Sequence, residues 1–327
     1  MNDISFQFVT RERFIGCLLG LAVGDALGAP YEGLPADLIH SIGPAQRLAT
    51  NPEHKKLFYT DDTEMMISVA ETLIAHQRID PEYLASRFVA NFHPERGYGA
   101  GVHQQIIMLQ NGHHYSECLF TMFPNGSYGN GAAMRVAPVG LMFCHDTDRL
   151  LKESELSASV THAHELGIEG AKLIALAIAS VLKMECFNRA DFFESLLPHC
   201  TTEEFTWQIQ TLCDLERYAL MTFGNSLEAH RSVTTAIQVF VDNPNDYMGV
   251  MRSAIGMGND IDTLCAMSGA ISGAYLGVDA IPESLIESLE NKINGRDRII
   301  ELANQLYDQT MTQLARKNRP KTACPPS

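Results

Sequence analysis

The chain has 327 residues, 46% hydrophobic and 19% charged, with 39 acidic against 24 basic side chains and a net charge of −15. That composition excludes a wholly disordered chain. An acidic surface repels phosphate backbones, so no nucleic acid and no membrane is expected as a partner, although one local pocket for an anionic small molecule is compatible with it.

From the N-terminus, MNDISFQFVTRERF carries acid before base and no apolar stretch, unlike a secretory leader. The longest apolar stretches, Phe14–Gly24 and Leu264–Val278, read as too short and too glycine-rich to span a bilayer. The eight cysteines form no CxxC pair, and Cys17 and Cys265 sit inside apolar runs, as reduced thiols do. A cytoplasmic protein, monomeric by default, is the expectation.

Helical spacing of apolar residues predicts elements over Arg13–Leu27, Thr63–His76, Tyr83–Phe92, Gly170–Lys183 and Asp191–Leu197. It continues over Glu203–Thr222, Ser226–Val241, Asp246–Ile255, Thr263–Gly277 and Pro282–Ala315. Asp61 with Glu64, and Asp191 with Glu194, have the spacing of reciprocal caps at helix starts. No hairpin, βαβ unit or repeat interrupts the pattern. The expected fold is all-α, a single-domain orthogonal helical bundle over residues 10–316, followed by a disordered tail from 317 to 327 that holds three prolines.

Two glycine stripes need a reason, because each interior glycine costs a helix about 0.8–1 kcal/mol relative to alanine. Gly16, Gly20, Gly24 and Gly28 fall on one face, and so do Gly269, Gly273 and Gly277. Close approach of two helix backbones is that reason. Asp25 interrupts the first stripe, and Asp260 and Asp262 precede the second.

Two segments, Tyr59–Met65 and Gly258–Thr263, each place two aspartates and a threonine at the start of an apolar helix. Singly, each reads as ordinary capping. If the two converge they need a cation, since like charges in one pocket raise each other's pKa. Oxygen donors without a Cys/His set select Mg²⁺, Mn²⁺ or Ca²⁺, and four carboxylates with two threonines suit a two-metal centre. His113-His114 and His162-Ala163-His164 lack the partners of a zinc site. The loops Gly97–Gly101 and Asn125–Gly131 can be plain turns or backbone anion nests, with Tyr128 free to stack on a base.

Six ordered segments resemble the ADP-ribosylhydrolase (ADP-ribosylglycohydrolase) family from about residue 11 to 315: GCLLGLAVGDALGAPYEG, YTDDTEM, GYGAG, GSYGNGAAMRVAPVGL, VTHAHELGIEGA and GNDIDTLCAMSGAISGAYLG. The resemblance implies roughly a dozen helices around a binuclear Mg²⁺ cleft that binds ADP-ribose. By motif position, Thr60, Asp61 and Asp62 would hold one ion and Asp260, Asp262 and Thr263 the other, with Asp262 bridging. Glu32 matches a flexible glutamate that gates the cleft. Gly126, Ser127, Gly129 and Asn130 would hold the diphosphate and distal ribose, with Tyr128 near the adenosine. His162 matches a ligand-contacting histidine, and Gly97, Tyr98, Gly99 and Gly101 would line the cleft near the metals.

The implied reaction is hydrolysis at C1″ of the distal ribose, on an ADP-ribosylated protein or an ADP-ribosyl small molecule. Asp61 or Asp62 would take the proton of the attacking water, and Glu32 would serve as acid or base. The GYGAG and GSYGNGAAMRV segments with Glu32 look most like the branch acting on serine, O-acetyl-ADP-ribose and poly(ADP-ribose). An arginine-type hydrolase, a non-catalytic ADP-ribose reader and a hydrolase of another phosphorylated metabolite are the alternatives. One departure bears on this: the family's second metal motif is usually Gly-Gly-Asp-Thr-Asp-Thr, and Asn259 and Ile261 replace a glycine and a threonine here.

Overall fold

The computed structural model describes residues 7–43, 56–214 and 223–317, which form sixteen α-helices and no strand. In chain order they are α1 (Arg11–Gly28), α2 (Ala36–Ile42), α3 (Asp61–His76), α4 (Pro81–Ala90), α5 (Ala100–Gln110), α6 (Tyr115–Cys118), α7 (Ala137–Met142) and α8 (Thr147–Ala158). Then come α9 (Glu165–Val181), α10 (Arg189–Leu196), α11 (Glu203–Asp214), α12 (Ala229–Asp242), α13 (Tyr247–Gly256), α14 (Ile261–Leu276), α15 (Glu283–Ser288) and α16 (Arg296–Lys317).

At the centre, α1 and α14 run antiparallel, glycine stripe on glycine stripe. A Cβ on Gly16 would stand 2.5 Å from the Gly273 carbonyl oxygen, and one on Gly20 2.5 Å from that of Gly269. No side chain fits between backbones that close, which accounts for both stripes. Tyr247 of α13 seals the pair by donating its hydroxyl to the Gly20 carbonyl at 2.8 Å. The register has a consequence at the far end: a Cβ on Gly28 would lie 2.5 Å from Cα of Asp262. The C-terminus of α1 and the N-terminus of α14 are therefore pressed together, and both acidic segments hang from this contact.

The stretch Arg11–Tyr31 is longer than the apolar run read from the sequence. It has 21 residues, and its most apolar 18-residue window has a mean hydropathy of 1.5, enough by length and composition to cross a membrane, yet 78% of that window is buried among the other helices. Its apolarity is explained by that burial, since α1 from Gly16 to Gly28 is buried among the other helices.

Several expectations are corrected. The all-α expectation holds, and sixteen helices are described where apolar spacing marked ten elements, because short or polar ones escaped the periodicity. The start of α7 carries Pro138 where a missing N–H costs nothing, and α8 is mostly polar with Asp146 accepting the Arg149 N–H at 3.2 Å. The single helix expected over Pro282–Ala315 is two. Between them, Leu57 donates to the Ser288 carbonyl at 2.8 Å and accepts the Glu290 N–H at 2.9 Å, a bridge that takes the bonds a continuing helix would need. The cap of α10 is Asn188, whose side chain accepts from Ala190 and Asp191, so Asp191 and Glu194 form no reciprocal cap there. α16 runs two residues past the expected helix end at Ala315, to Lys317, whereas residues 215–222 and 318–327 lie outside the described residues.

Candidate active site

The N-terminus of α3 is capped from another helix. Thr60 is the N-cap residue but makes no capping bond with its own side chain. Asp25 of α1, fully buried, accepts instead from Thr60 N (2.9 Å), Thr60 Oγ1 (2.8 Å), Thr63 N (3.1 Å) and Thr63 Oγ1 (2.5 Å). Asp61 and Glu64 form no reciprocal cap. The shared carboxylate leaves Asp61 and Asp62, in the first turn, free to face outward where the helix dipole favours negative charge.

The second acidic segment is held by Asn225, which no sequence signal distinguishes. Its amide donates to Gly258 O at 2.8 Å and Asp260 O at 2.7 Å. Asn259 takes a left-handed backbone (φ 61°), a conformation asparagine tolerates better than most side chains. It accepts the Gly33 N–H at 2.7 Å and donates its own to Leu34 O at 2.7 Å, which lashes the turn after Glu32 to the Asp260 loop. One oxygen each from Glu32, Asp260 and Asp262 thereby lies within 4.8 Å of the others. Asn130, buried, donates to Asp260 Oδ2 at 2.5 Å and to Ser232 Oγ at 3.1 Å.

Burial and mutual repulsion push these acids upward. Asp262 is raised to about 10 by burial, then by Asp260, Asp25 and Glu32. Asp61 and Asp62 are held well above the carboxylate range by burial and by the charge of Asp25. Asp260 is raised by burial, and Glu32 by burial and Asp260. Asp25 reaches only about 6, because its threonine hydrogen bonds oppose the desolvation. The group cannot be ionised together without a cation. Asp62 Oδ1 is buried with no hydrogen-bond partner. Such an orphaned acceptor among carboxylates and threonine hydroxyls fits a hard divalent ion.

Glu32, Asp61, Asp62, Asp260 and Asp262 form one wall of a cleft of about 290 Å³. Facing them are Gly97, Gly99, Gly101, Ser127, Gly129 and His162, with Met122, Phe123 and Leu227 adding apolar surface. Of the residues singled out from the sequence, Glu32, Asp61, Asp62, Asp260, Asp262, Thr263 and Asn130 also reach the cleft, while Thr60, Tyr98, Gly126 and Tyr128 stand outside its lining. Thr60 is bound to Asp25, and Tyr98 donates to Glu64 Oε2 at 2.7 Å. Tyr128 is exposed and edge-on to His164 at 5.6 Å. The N–H groups of Gly126, Gly129 and Asn130 are already bonded, to Phe123 O, Ser127 Oγ and Leu227 O.

Over residues 9–315 the sequence matches the family described as ADP-ribosylglycohydrolase. The chain belongs to the ADP-ribosylglycohydrolase family. It is 33% identical to the ADP-ribosylhydrolase ARH3 of Bos taurus, over 85% of this chain and 88% of that one, and 33% identical to the ADP-ribosylhydrolase ARH3 of Homo sapiens, over 85% and 89%. A solved structure titled "ADP-ribosylglycohydrolase-related protein complex" superposes with a TM-score of 0.70 at 25% identity, covering 92% of this chain and 99% of that one. The protein is thus a hydrolase of the ADP-ribosyl class, and the branch resemblance read from its motifs stands.

In this ADP-ribosylglycohydrolase neither departure from the usual motif intrudes on the cleft. Asn259 turns its amide to Asn225 O at 3.1 Å, and Ile261 is fully buried in the core. Sequence reasoning gave no place in the site to four residues behind the wall: Asp25, noted only as a break in the glycine stripe, Glu64, taken for a cap partner, and Asn225 and Arg135. Asp25 and Arg135 had a signal, a lone charge inside an apolar run, helical for Asp25 and outside any helix for Arg135. Glu64 accepts the His93 N–H (3.0 Å), the His93 ring (2.7 Å) and Tyr98, and so ties the Gly97–Gly101 loop to α3. A second hollow, of about 1000 Å³, lies beyond Gly97. Its charges pair among themselves, Arg87 and Arg298 with Glu71 at 2.6 and 3.0 Å and Arg96 with Glu290, so they are structural.

Proposed function

We propose that this ADP-ribosylhydrolase is a two-Mg²⁺ enzyme, able to use Mn²⁺, that releases ADP-ribose from serine in proteins and from related ADP-ribosyl derivatives. The observation that carries the metal reading is the acidic wall itself: five cleft carboxylates, raised pKa values, and an unpartnered Asp62 Oδ1. Thr60, Asp61 and Asp62 would hold one ion and Asp260, Asp262 and Thr263 the other. Serine rests on the branch resemblance of Glu32, Gly97–Gly101 and Gly126–Arg135. A cytoplasmic monomer acting on ADP-ribosylated proteins or small molecules, without nucleic acid or membrane, completes the reading.

When bound, the ions supply Lewis acidity and offset the repulsion among the carboxylates. The chain's own residues do the rest. Glycines 97, 99, 101 and 129 present no side chain, so ribose and diphosphate can approach the backbone closely. Phe123, Met122 and Leu227 limit water to the reacting face. As the C1″–O bond breaks, positive charge grows on the anomeric carbon and ring oxygen, opposite a wall of carboxylates that stabilises it. Asp61 or Asp62 accepts the proton of the attacking water, whose oxygen becomes the new C1″ hydroxyl, and Glu32 protonates the departing serine oxygen. Glu32, raised by burial and by Asp260, is the acid in this set with access to solvent.

The test is release of free ADP-ribose from matched serine- and arginine-ADP-ribosylated peptides, with Mg²⁺ or EDTA. Metal-dependent release from serine alone is the expected result. Release from arginine alone overturns the acceptor and keeps the metal chemistry, and release undiminished by EDTA overturns the metal requirement.

A further inference from the structure

Among the described residues Arg135 is the largest fully buried side chain, and no carboxylate is hydrogen-bonded to it. Its guanidinium lies 4.7 Å from the Phe88 ring centroid and donates to Gly131 O (3.1 Å), Ser157 O (3.0 Å) and Thr161 Oγ1 (2.8 Å). A buried cation with no carboxylate bonded to it is costly even with the Asp61 charge near enough to act on it, so one that persists beside a cleft calls for a use.

Thr161 Oγ1 is also 2.8 Å from His162 Nδ1. A guanidinium can only donate, so the threonine oxygen must accept from Arg135. Its single proton is then free, and among the described residues His162 Nδ1 is the one acceptor that the buried Thr161 hydroxyl meets. That nitrogen accepts, which puts the ring proton on Nε2. Nε2 makes no hydrogen bond among the described residues and lies over the cleft glycines, where a Cβ on Gly131 or Gly129 would stand 3.5 or 3.7 Å away. We propose that Arg135 is a positioning residue that, through Thr161, fixes His162 as the neutral tautomer with its Nε2–H aimed into the cleft, a permanent donor for an oxygen of the bound ADP-ribosyl group. The same geometry makes His162 unfit as a general acid or base: burial and the Arg135 charge hold its pKa down at about 3, so the ring stays neutral. Only the identity of the ligand oxygen rests on the ADP-ribose reading; the tautomer does not.

The experiment is ¹⁵N–¹H correlation of the histidine rings in the full chain, for wild type, Thr161→Val and Thr161→Ser, with ADP-ribose affinity measured on the same samples. Wild type is expected to show His162 protonated on Nε2 only. Thr161→Val should mix the tautomers and weaken ADP-ribose binding about tenfold, the value of one well-placed hydrogen bond, and Thr161→Ser should restore both. A wild-type His162 protonated on Nδ1, or a Thr161→Val protein with unchanged tautomer and affinity, overturns the proposal. The expected spectrum in a protein that does not bind ADP-ribose would instead overturn the ligand reading and leave the relay standing. The wild-type spectrum decides the tautomer even where a variant fails to fold.

Discussion

Asp25 Oδ2 accepts the Thr63 hydroxyl at 2.5 Å and the Thr63 N–H at 3.1 Å, so a residue of α1 caps the helix that presents Asp61 and Asp62. The position of the acidic wall therefore depends on an acid that never reaches the cleft. Asp25→Ala strips four N–H and O–H donors of their acceptor and is expected to cost about 2–4 kcal/mol in urea unfolding. Metal affinity should fall as well, since the first turn of α3 loses its anchor. Unchanged stability together with unchanged metal binding would remove Asp25 from this role.

The raised pKa values have a sign that can be checked without activity. In the folded, metal-free protein Asp25 titrates near 6 and Asp262 near 10, both above their unfolded values, so the folded state binds more protons at neutral pH. Stability in EDTA should then fall as pH rises from about 4 through neutrality, by the linkage between proton uptake and unfolding. Saturating Mg²⁺ should flatten that slope, because the ions replace the protons. Asp262→Asn is neutral without taking up a proton on folding: its melting temperature in EDTA should equal or exceed wild type at pH 8, while turnover drops at least about a hundredfold. A metal-free protein that becomes more stable toward alkaline pH contradicts the shared-charge account.

How legible this was from the sequence differs from element to element. The Gly16–Gly28 and Gly269–Gly277 stripes announced a close helix pair because a four-residue glycine period has few other causes, and the structure bears that out. The two aspartate segments were visible as segments, but their meeting depends on the antiparallel register of α1 and α14 and on the Asn259 clamp, which involve residues more than 200 positions apart. Capping was misassigned at α3 because spacing identifies a local acceptor and cannot identify Asp25, 35 residues away in the chain. Asn225 carries no local signal at all, since its work is done entirely by tertiary hydrogen bonds to Gly258 and Asp260.

The glycine pair gives a prediction of opposite sign to helix propensity. Alanine should favour an isolated helix by about 1 kcal/mol over glycine. At Gly273, however, the added Cβ would run into the Gly16 carbonyl, and backbone cannot yield as a side-chain tip does. Gly273→Ala is expected to lose a net 2–3 kcal/mol or more through overpacking. Because α14 carries Asp262 at its other end, activity should fall with stability. Gly112→Ala is the matched control for local crowding, with open space around its Cβ position but a left-handed φ of 88°, so it should cost only its backbone strain of about 1 kcal/mol. Equal losses at the two positions would show that packing between α1 and α14 is not the cause.

Glu64 separates placement of the loop from chemistry. It lies buried behind Asp61 and accepts from His93 and Tyr98, at the two ends of the turn leading into Gly97–Gly101. Its contact raises the His93 pKa, with the hydrogen bond as the leading cause. In Glu64→Gln the amide cannot accept as an anion from both partners, so the His93 pKa should drop toward an ordinary histidine, visible by NMR titration. The loosened glycine loop should raise KM for the ADP-ribosyl substrate about three- to tenfold while kcat changes less, because the carboxylates that face the reacting carbon are untouched. A fall confined to kcat would mean that Glu64 acts on Asp61 and Asp62 through the field inside α3 rather than through the loop.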